Sequence, residues 1–313
     1  MDQLLSGSKR HLARAITLVE NGTDAGREIL GAVYSRGGAA YTVGITGFPG
    51  AGKSTLADQL IAVYRRQQRK VGVVAVDPSS AFSGGAILGD RIRMQRHATD
   101  PQVFIRSLAT RGNFGGLSKA TGDVVDLLDA GGHDPILLET VGVGQDEIDI
   151  VRVADTVLVV LVPGLGDDIQ TLKAGVLEIA DLFVINKADR PGAERLEQEL
   201  RSMLALGGSA SHQATPILKT VATRGEGIDE LVAAVQQHRE QAMASGATEQ
   251  RRRERGERRF LALLRDRLVE RALQRLDEAR GLQQRVREIQ ERRIDPYTAV
   301  EQVLAELRLG EDS

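Results

Sequence analysis

The segment GFPGAGKS contains residues whose types and spacing suggest phosphate chemistry. It extends from Gly47 to Ser54 and matches G-x-x-x-x-G-K-S, after the apolar run YTVGIT and before the helical pattern STLADQLIAVYRR. In such a loop, glycines let backbone N–H groups surround phosphates at a helix N-terminus, the lysine reaches the β- and γ-phosphates, and the serine hydroxyl binds Mg²⁺. The predicted phosphate-binding residues are Gly47, Gly50, Ala51, Gly52, Lys53, Ser54 and Thr55.

Three acidic residues follow apolar or glycine-containing segments. Asp77 ends the run VGVVAVD, Asp90 ends the loop GGAILGD and Glu139 ends the run PILLE. Because ligands of open α/β sheets collect at the carboxyl ends of strands, we expect these acids to surround a metal ion and the attacking water. Gly142 in TVGVG is expected to contact the γ-phosphate through its N–H. The predicted catalytic residues are Lys53, Asp77, Glu139 and Gly142, and the predicted metal-binding residues are Ser54, Asp77, Asp90 and Glu139.

The segment NKAD, from Asn186 to Asp189, begins at the last residue of the apolar run LFVIN and indicates the identity of the base. An aspartate that accepts the N1–H and N2–H of guanine forms a pair that adenine cannot supply. GTP is therefore predicted over ATP, with Asn186, Lys187 and Asp189 at the base. Further along, TVATRGEGI is expected to bring the Ala222 N–H to the guanine O6.

Short apolar runs alternate with helical patterns from Tyr41 onward, which predicts an α/β fold with a mostly parallel central sheet covered by helices on both faces. We expect a helical extension over residues 1–38, a P-loop GTPase domain over 39–246 and a helical arm over 247–313. A final helix is predicted to start at Pro296 with Asp295 as its cap. The wide apolar stripe of the arm predicts a homodimer.

Composition excludes several classes of protein. The net charge of −2 predicts no general attraction to nucleic acid or to anionic membranes, and acids interrupt the arginine-rich segment RRRERGERR. The absence of cysteine excludes disulfides, thiol catalysis and thiolate metal sites. No apolar run is long enough to span a bilayer, and the N-terminal residues lack the features of a targeting peptide, so a cytoplasmic location is expected.

The motifs together resemble those of the MeaB/ArgK/MMAA-type GTPases, the accessory proteins of adenosylcobalamin-dependent acyl-CoA mutases. The resemblance covers nearly the whole chain. Its segments occur in the family's order: VDPSS with GGAILGDRIRM, FIRSLATRG with GGLS, ETVGVGQDE, GDDIQTLKAG, VINKAD and RRIDPYTAV. This sequence departs from the family in having GQDE for the commoner GQSE, TVAT for a Ser-Ala pair, and RGNFGG for RGHLGG.

This resemblance implies a Mg²⁺-dependent GTP hydrolase that acts as a chaperone of a partner mutase, gating cofactor loading and protecting or reactivating the enzyme. It implies that adenosylcobalamin is involved only through that mutase, with an adenosyltransferase as a further candidate partner. It also implies that Gly166–Gly175 is a third switch, which conveys the nucleotide state to the mutase.

The alternatives to a chaperone are a metal-insertion GTPase, and a P-loop kinase or transport-linked GTPase. A metal-insertion GTPase of the nickel type needs histidine or cysteine clusters, whereas the 5 histidines are scattered along the chain. A P-loop kinase, which the older transport-kinase label of part of the family suggests, needs an acceptor site that the sequence does not indicate. Asp146, which follows Glu139 in the same segment, has no predicted role.

Overall fold

The computed structural model describes residues 2–77, 94–109, 116–140, 153–164, 179–206, 215–278 and 281–306, with Asp77 described only through its backbone. The described helices are α1 (Asp2–Leu5), α2 (Lys9–Glu20), α3 (Asp24–Tyr34), α4 (Lys53–Arg66), α5 (Gly116–Ala130), α6 (Ala193–Leu206), α7 (Ile228–Ala244), α8 (Ala247–Glu278), α9 (Gly281–Gln290) and α10 (Pro296–Glu306). The described strands are β1 (Thr42–Gly47), β2 (Val71–Asp77), β3 (Val103–Ala109), β4 (Ile136–Thr140), β5 (Thr156–Leu161), β6 (Leu182–Asn186) and β7 (Ile217–Thr220).

The strands form one sheet in the order β3-β2-β4-β1-β5-β6-β7, and all of the described pairs are parallel. The predicted α/β class with a mostly parallel sheet is therefore confirmed. Strand β1 lies between β4 and β5, although β2 and β3 come next in the chain. This reversal of strand order creates the crevice at the carboxyl edge where open α/β sheets bind ligands.

Apolar side chains cover both faces of the sheet, which explains why its strands are almost continuously hydrophobic. On one face, Ile45 of β1 packs in the same core as Leu60 of α4 and Leu231 of α7. On the other face, Leu138 of β4 belongs to a core that also contains Ile16 of α2. Side chains alternate across a strand, so a strand such as β4 contributes Leu138 to one core and Leu137 to the other, which holds its carboxyl end in a fixed position.

The N-terminal helices pack against this second core. The Thr23 hydroxyl oxygen accepts a hydrogen bond from the Gly26 N–H at 3.1 Å and so caps α3. Glu20 at the end of α2 forms an ion pair with Arg106 on the edge strand β3. The N-terminal helices are thus attached to the sheet by an ion pair as well as by apolar contacts.

The contacts divide the chain into two units, residues 1–251 and 252–313. In the second unit, α10 begins at Pro296, and the Asp295 carboxylate accepts hydrogen bonds from the N–H groups of Tyr297 at 2.9 Å and Thr298 at 3.0 Å. The predicted start and cap of this helix are confirmed. The predicted division at residues 38 and 246 remains a prediction.

Among the described helices, none is both long enough and apolar enough for a membrane span.

Candidate nucleotide site

The phosphate loop connects β1 to α4, and its backbone requires glycine. Gly47, Gly50 and Gly52 have φ angles of 133°, 76° and 88°, a region that glycine adopts readily and residues with a Cβ atom rarely adopt. A Cβ atom on Gly47 would lie 2.1 Å from the carbonyl oxygen of Val160 on β5. A Cβ atom on Gly52 would lie 2.5 Å from the amide nitrogen of Asn186. The loop therefore packs closely against the carboxyl ends of β5 and β6.

Lys53 is the first residue of α4, and only 6% of it is exposed. Its ammonium group donates hydrogen bonds to the carbonyl oxygens of Gly47 at 2.6 Å and Phe48 at 3.0 Å. A buried ammonium needs such acceptors to offset its lost hydration. These contacts hold the positive charge inside the loop, beside the N-terminus of α4.

Ser54 and Glu139 meet next to the loop. The Ser54 hydroxyl donates to Glu139 Oε1 at 2.6 Å, and the two residues are 5% and 1% exposed. The contact depends on the strand order, because Ile45 of β1 pairs with Glu139 of β4. Two buried oxygen-bearing side chains of this kind match the donor type that Mg²⁺ prefers in proteins. The described residues hold no group of three or more His, Cys, Asp or Glu that could bind a metal ion by itself.

The other predicted catalytic positions are only partly described. The backbone of Asp77 lies at the carboxyl end of β2, which pairs with β4 through Ala75 and Glu139. Asp77 is thus at the same edge of the sheet as the phosphate loop. Asp90, Gly142 and Asp146 lie outside the described residues, as does the predicted third switch at 166–175.

Asn186 joins three segments of the site. Its side-chain amide donates to the Ala51 carbonyl at 2.8 Å, and its Oδ1 accepts from the Thr220 hydroxyl and the Ala222 N–H, each at 3.1 Å. Asn186 is 2% exposed, so these hydrogen bonds are shielded from water. The phosphate loop and the predicted base loop, the segment TVATRGEGI at residues 220–228, are therefore linked through one amide. The Ala222 N–H, predicted to contact the guanine O6, donates here to Asn186.

The remaining residues of NKAD lie beside the same loops. Lys187 adopts a φ of 56°, and its ammonium donates to the Gly50 carbonyl at 2.7 Å. The Asp189 side chain is 39% exposed, and Arg224 Nη1 lies 3.5 Å from its Oδ2. The structure therefore places a carboxylate at an accessible position next to the base loop.

Sequence reasoning missed Thr220, Arg224 and Glu226. The position of Thr220 at the end of β7 was a usable signal, because polar residues at the carboxyl ends of parallel strands face the ligand crevice. Arg224 and Glu226 lie on a loop, where no periodic pattern marks which side chains converge. Charged residues two positions apart in RGEG gave no specific signal.

Comparison with known proteins agrees with this geometry. The family model "Methylmalonyl Co-A mutase-associated GTPase MeaB" matches residues 12–277. The chain belongs to the MeaB family. As members of this family are GTPases, the chain is a GTP hydrolase that binds guanine nucleotides.

Relatives of this MeaB-family chain span archaea and animals. A putative GTPase of Pyrococcus abyssi is 49% identical over 313 residues, which covers 98% of this chain and 95% of that protein. The mitochondrial methylmalonic aciduria type A homolog of Mus musculus is 37% identical over 261 residues, covering 78% of this chain and 63% of that protein. A crystal structure described as an LAO/AO transport system kinase superposes with a TM-score of 0.71 at 26% identity, covering 98% of this chain and 96% of that one.

Proposed function

We propose that this MeaB-family GTPase is a chaperone of an adenosylcobalamin-dependent acyl-CoA mutase. The observation that carries the proposal is the match of residues 12–277 to a family described as mutase-associated. In this proposal, GTP binding and hydrolysis gate the loading of adenosylcobalamin into the mutase and its protection or reactivation. The cofactor belongs to the mutase, and an adenosyltransferase is a further proposed partner.

Hydrolysis is proposed to proceed by in-line attack of water on the γ-phosphate. The backbone N–H groups of the phosphate loop and the Lys53 ammonium stabilise the charge that develops on the phosphate oxygens. To do so, Lys53 exchanges its two loop carbonyl acceptors for phosphate oxygens. Asp77 polarises or orients water at the same edge, and Gly142 contacts the γ-phosphate through its N–H.

Mg²⁺ is proposed to bind beside the phosphate loop, with Ser54 and Glu139 as its protein ligands. The 2.6 Å contact between their oxygens supports this assignment, because α4 and β4 already hold the two groups together in a buried place. When bound, the ion would supply positive charge to the β- and γ-phosphates. Asp77 and Asp90 are proposed as the other metal-binding carboxylates near the ion.

The base is proposed to be guanine, recognised by Asp189. Its carboxylate accepts two hydrogen bonds from guanine, and xanthine, with an oxygen at position 2, would instead need a donor. Asp189→Asn is expected to shift the preference of the enzyme from GTP toward xanthosine triphosphate. Unchanged preference for GTP in a competition assay would refute this role of Asp189.

The second unit is proposed to form a homodimer through its apolar side chains. Phe260, Leu261, Leu264, Leu268, Val269 and Leu273 of α8 are 40–63% exposed. A group of exposed apolar side chains on one helix typically marks an interaction surface, and a two-fold contact between identical chains is the commonest arrangement. Leu264→Glu with Leu268→Glu is expected to halve the mass measured by light scattering. The control Gln274→Glu, an exposed polar position on the same helix, should leave the mass unchanged.

The chaperone proposal is tested by measuring GTP turnover with and without candidate acyl-CoA mutases, with ATP as the comparison. Acceleration by one cobalamin-dependent mutase is the expected result, and no acceleration by any of them would refute the chaperone role. The structural similarity to a protein described as a transport system kinase makes a kinase the second candidate. Transfer of the labelled γ-phosphate to another molecule rather than to water would favour that candidate.

A further inference from the structure

Arg224 lies on a tight turn within the base loop. The Val221 N–H donates to the Glu226 carbonyl at 3.0 Å, and the Arg224 N–H donates to the Val221 carbonyl at 2.9 Å. Gly225 permits the turn with its φ of 73°. The next residue after Val221 is Ala222, whose N–H is bound by Asn186. The turn that holds Arg224 is therefore attached directly to the NKAD segment.

Glu226 fixes the direction of the Arg224 side chain. Arg224 Nε lies 2.7 Å from Glu226 Oε1, and Nη2 donates to Oε2 at 3.2 Å. This two-point contact uses one edge of the planar guanidinium, the geometry in which arginine and carboxylate fit best. The remaining nitrogen, Nη1, lies 3.5 Å from Asp189 Oδ2. Two carboxylates therefore share one guanidinium, and one of them is the proposed guanine-recognising group.

The distance between Arg224 and Asp189 suggests what this contact does. At 3.5 Å it is longer than the usual 2.7–3.2 Å range of N–H···O hydrogen bonds, so the attraction is mainly Coulombic. The carboxylate keeps its lone pairs available for the N1–H and N2–H of guanine. At the same time, the fixed positive charge restricts the rotation of a side chain that is 39% exposed. A carboxylate that is already oriented loses less conformational entropy when the base binds.

We propose that Arg224, oriented by Glu226, is a positioning residue for base recognition that holds the Asp189 carboxylate ready for guanine. The inference rests on the proposed role of Asp189. Arg224 does not contact the phosphates in this proposal, so it acts equally on GTP and GDP. Its contribution is to nucleotide affinity and residence time, and not to the rate of the chemical step.

The test measures the binding of fluorescent GDP and a non-hydrolysable GTP analogue to the full chain. Arg224→Gln, which keeps a polar side chain of similar length without the charge, is expected to weaken both by about threefold, the size typical of an exposed ion pair. The loss should come mainly from faster dissociation, with kcat for saturating GTP and the melting temperature unchanged. Glu226→Gln should shift affinity in the same direction. Arg190→Gln, at an exposed arginine directly after Asp189, is the matched control and should bind as the unmodified chain does.

A second arm separates positioning of Asp189 from a general effect on the loop. In an Asp189→Asn background assayed with xanthosine diphosphate, Arg224 no longer faces a charge at position 189, so adding Arg224→Gln should leave affinity unchanged. Persistence of the threefold loss in that background would overturn the inference, as would unchanged or tighter guanine-nucleotide binding by Arg224→Gln alone. Unaltered GTP preference in Asp189→Asn would instead refute the proposed base recognition, and this inference with it.

Discussion

The hydrogen bonds of Asn186 allow a quantitative test of how the site is held together. Asn186→Ala would remove three contacts, with Ala51, Thr220 and Ala222 as the partners. Ala51 and Ala222 are 0% and 2% exposed, and their backbone groups cannot turn toward water. A buried polar group left without a partner costs about 1–3 kcal/mol. For the two backbone groups together, we expect the free energy of unfolding to fall by about 4 kcal/mol.

Thr220→Val provides the second side of a double-mutant cycle. It removes one hydroxyl with little change in shape, so we expect a loss of about 1 kcal/mol in the unmodified background. In the Asn186→Ala background the hydroxyl has already lost Asn186 Oδ1, and Thr220→Val should cost close to nothing. The coupling between the two residues is therefore expected to be about 1 kcal/mol. Thr17→Val, at an exposed hydroxyl of α2, is the matched control and should change stability by less than about 0.5 kcal/mol.

The assay is urea denaturation followed by circular dichroism, together with GTP affinity for each variant. Asn186→Ala should weaken GTP binding by more than about tenfold, because both loops that the nucleotide contacts lose their common support. Equal costs of Thr220→Val in the two backgrounds would refute the reasoning. So would an Asn186→Ala variant that keeps its GTP affinity after losing stability, because the amide would then support the fold but not the site.

Two further predictions concern stability away from these hydrogen bonds. Burial lowers the pKa of His133 to about 4. Between this pH and about 6.5, the ordinary pKa of histidine, the unfolded chain therefore binds more protons than the folded chain. The free energy of unfolding should consequently fall by roughly 2 kcal/mol from pH 7 to pH 5. His133→Asn, which can keep a donor toward the Leu128 carbonyl, should reduce that pH dependence, whereas replacement of the exposed His11 by Asn should not. Gly47→Ala should lower the free energy of unfolding by about 3 kcal/mol or more and abolish GTP binding, since its Cβ would lie 2.1 Å from the Val160 oxygen. Gly31→Ala, in open space on α3, should stabilise the chain by about 0.5 kcal/mol, and similar melting temperatures for these two glycine variants would contradict the steric argument.

The sequence was most informative where a local pattern determines the structure. The run TVGIT and the loop after it predict a strand, a turn and a helix from adjacent residues, and the structure has β1, the phosphate loop and α4 there. The same holds for the apolar strands that precede Glu139 and Asn186. Strand periodicity and glycine spacing are properties of neighbouring residues, so one sequence is enough to recognise them.

Contacts between distant segments were not predictable in the same way. Ser54 and Glu139 are separated by 85 residues in the chain, and Asn186 and Ala51 by 135. Both contacts depend on the placement of β1 between β4 and β5, which no local sequence pattern predicts. The sequence placed these residues at one edge of a sheet, but it did not indicate that Asn186 would bind the loops themselves. The contact between Arg224 and Asp189 was harder still to predict, because both residues lie on loops with no periodicity.

The role of Asn186 has a consequence for how the two halves of the nucleotide bind. The phosphate loop follows β1, whereas Thr220 and Ala222 follow from β7, three positions away in the sheet. A nucleotide that contacted two independently moving loops would have to order both of them, and that entropy would reduce its affinity. Because the buried Asn186 amide already binds both segments, the two loops become ordered when the chain folds and not when the nucleotide binds. Loss of the Asn186 amide, which binds both loops, is therefore expected to lower phosphate affinity as well. The affinity for a base-free triphosphate should fall in Asn186→Ala but stay constant in Arg224→Gln, because Arg224 does not contact the phosphate loop in this proposal.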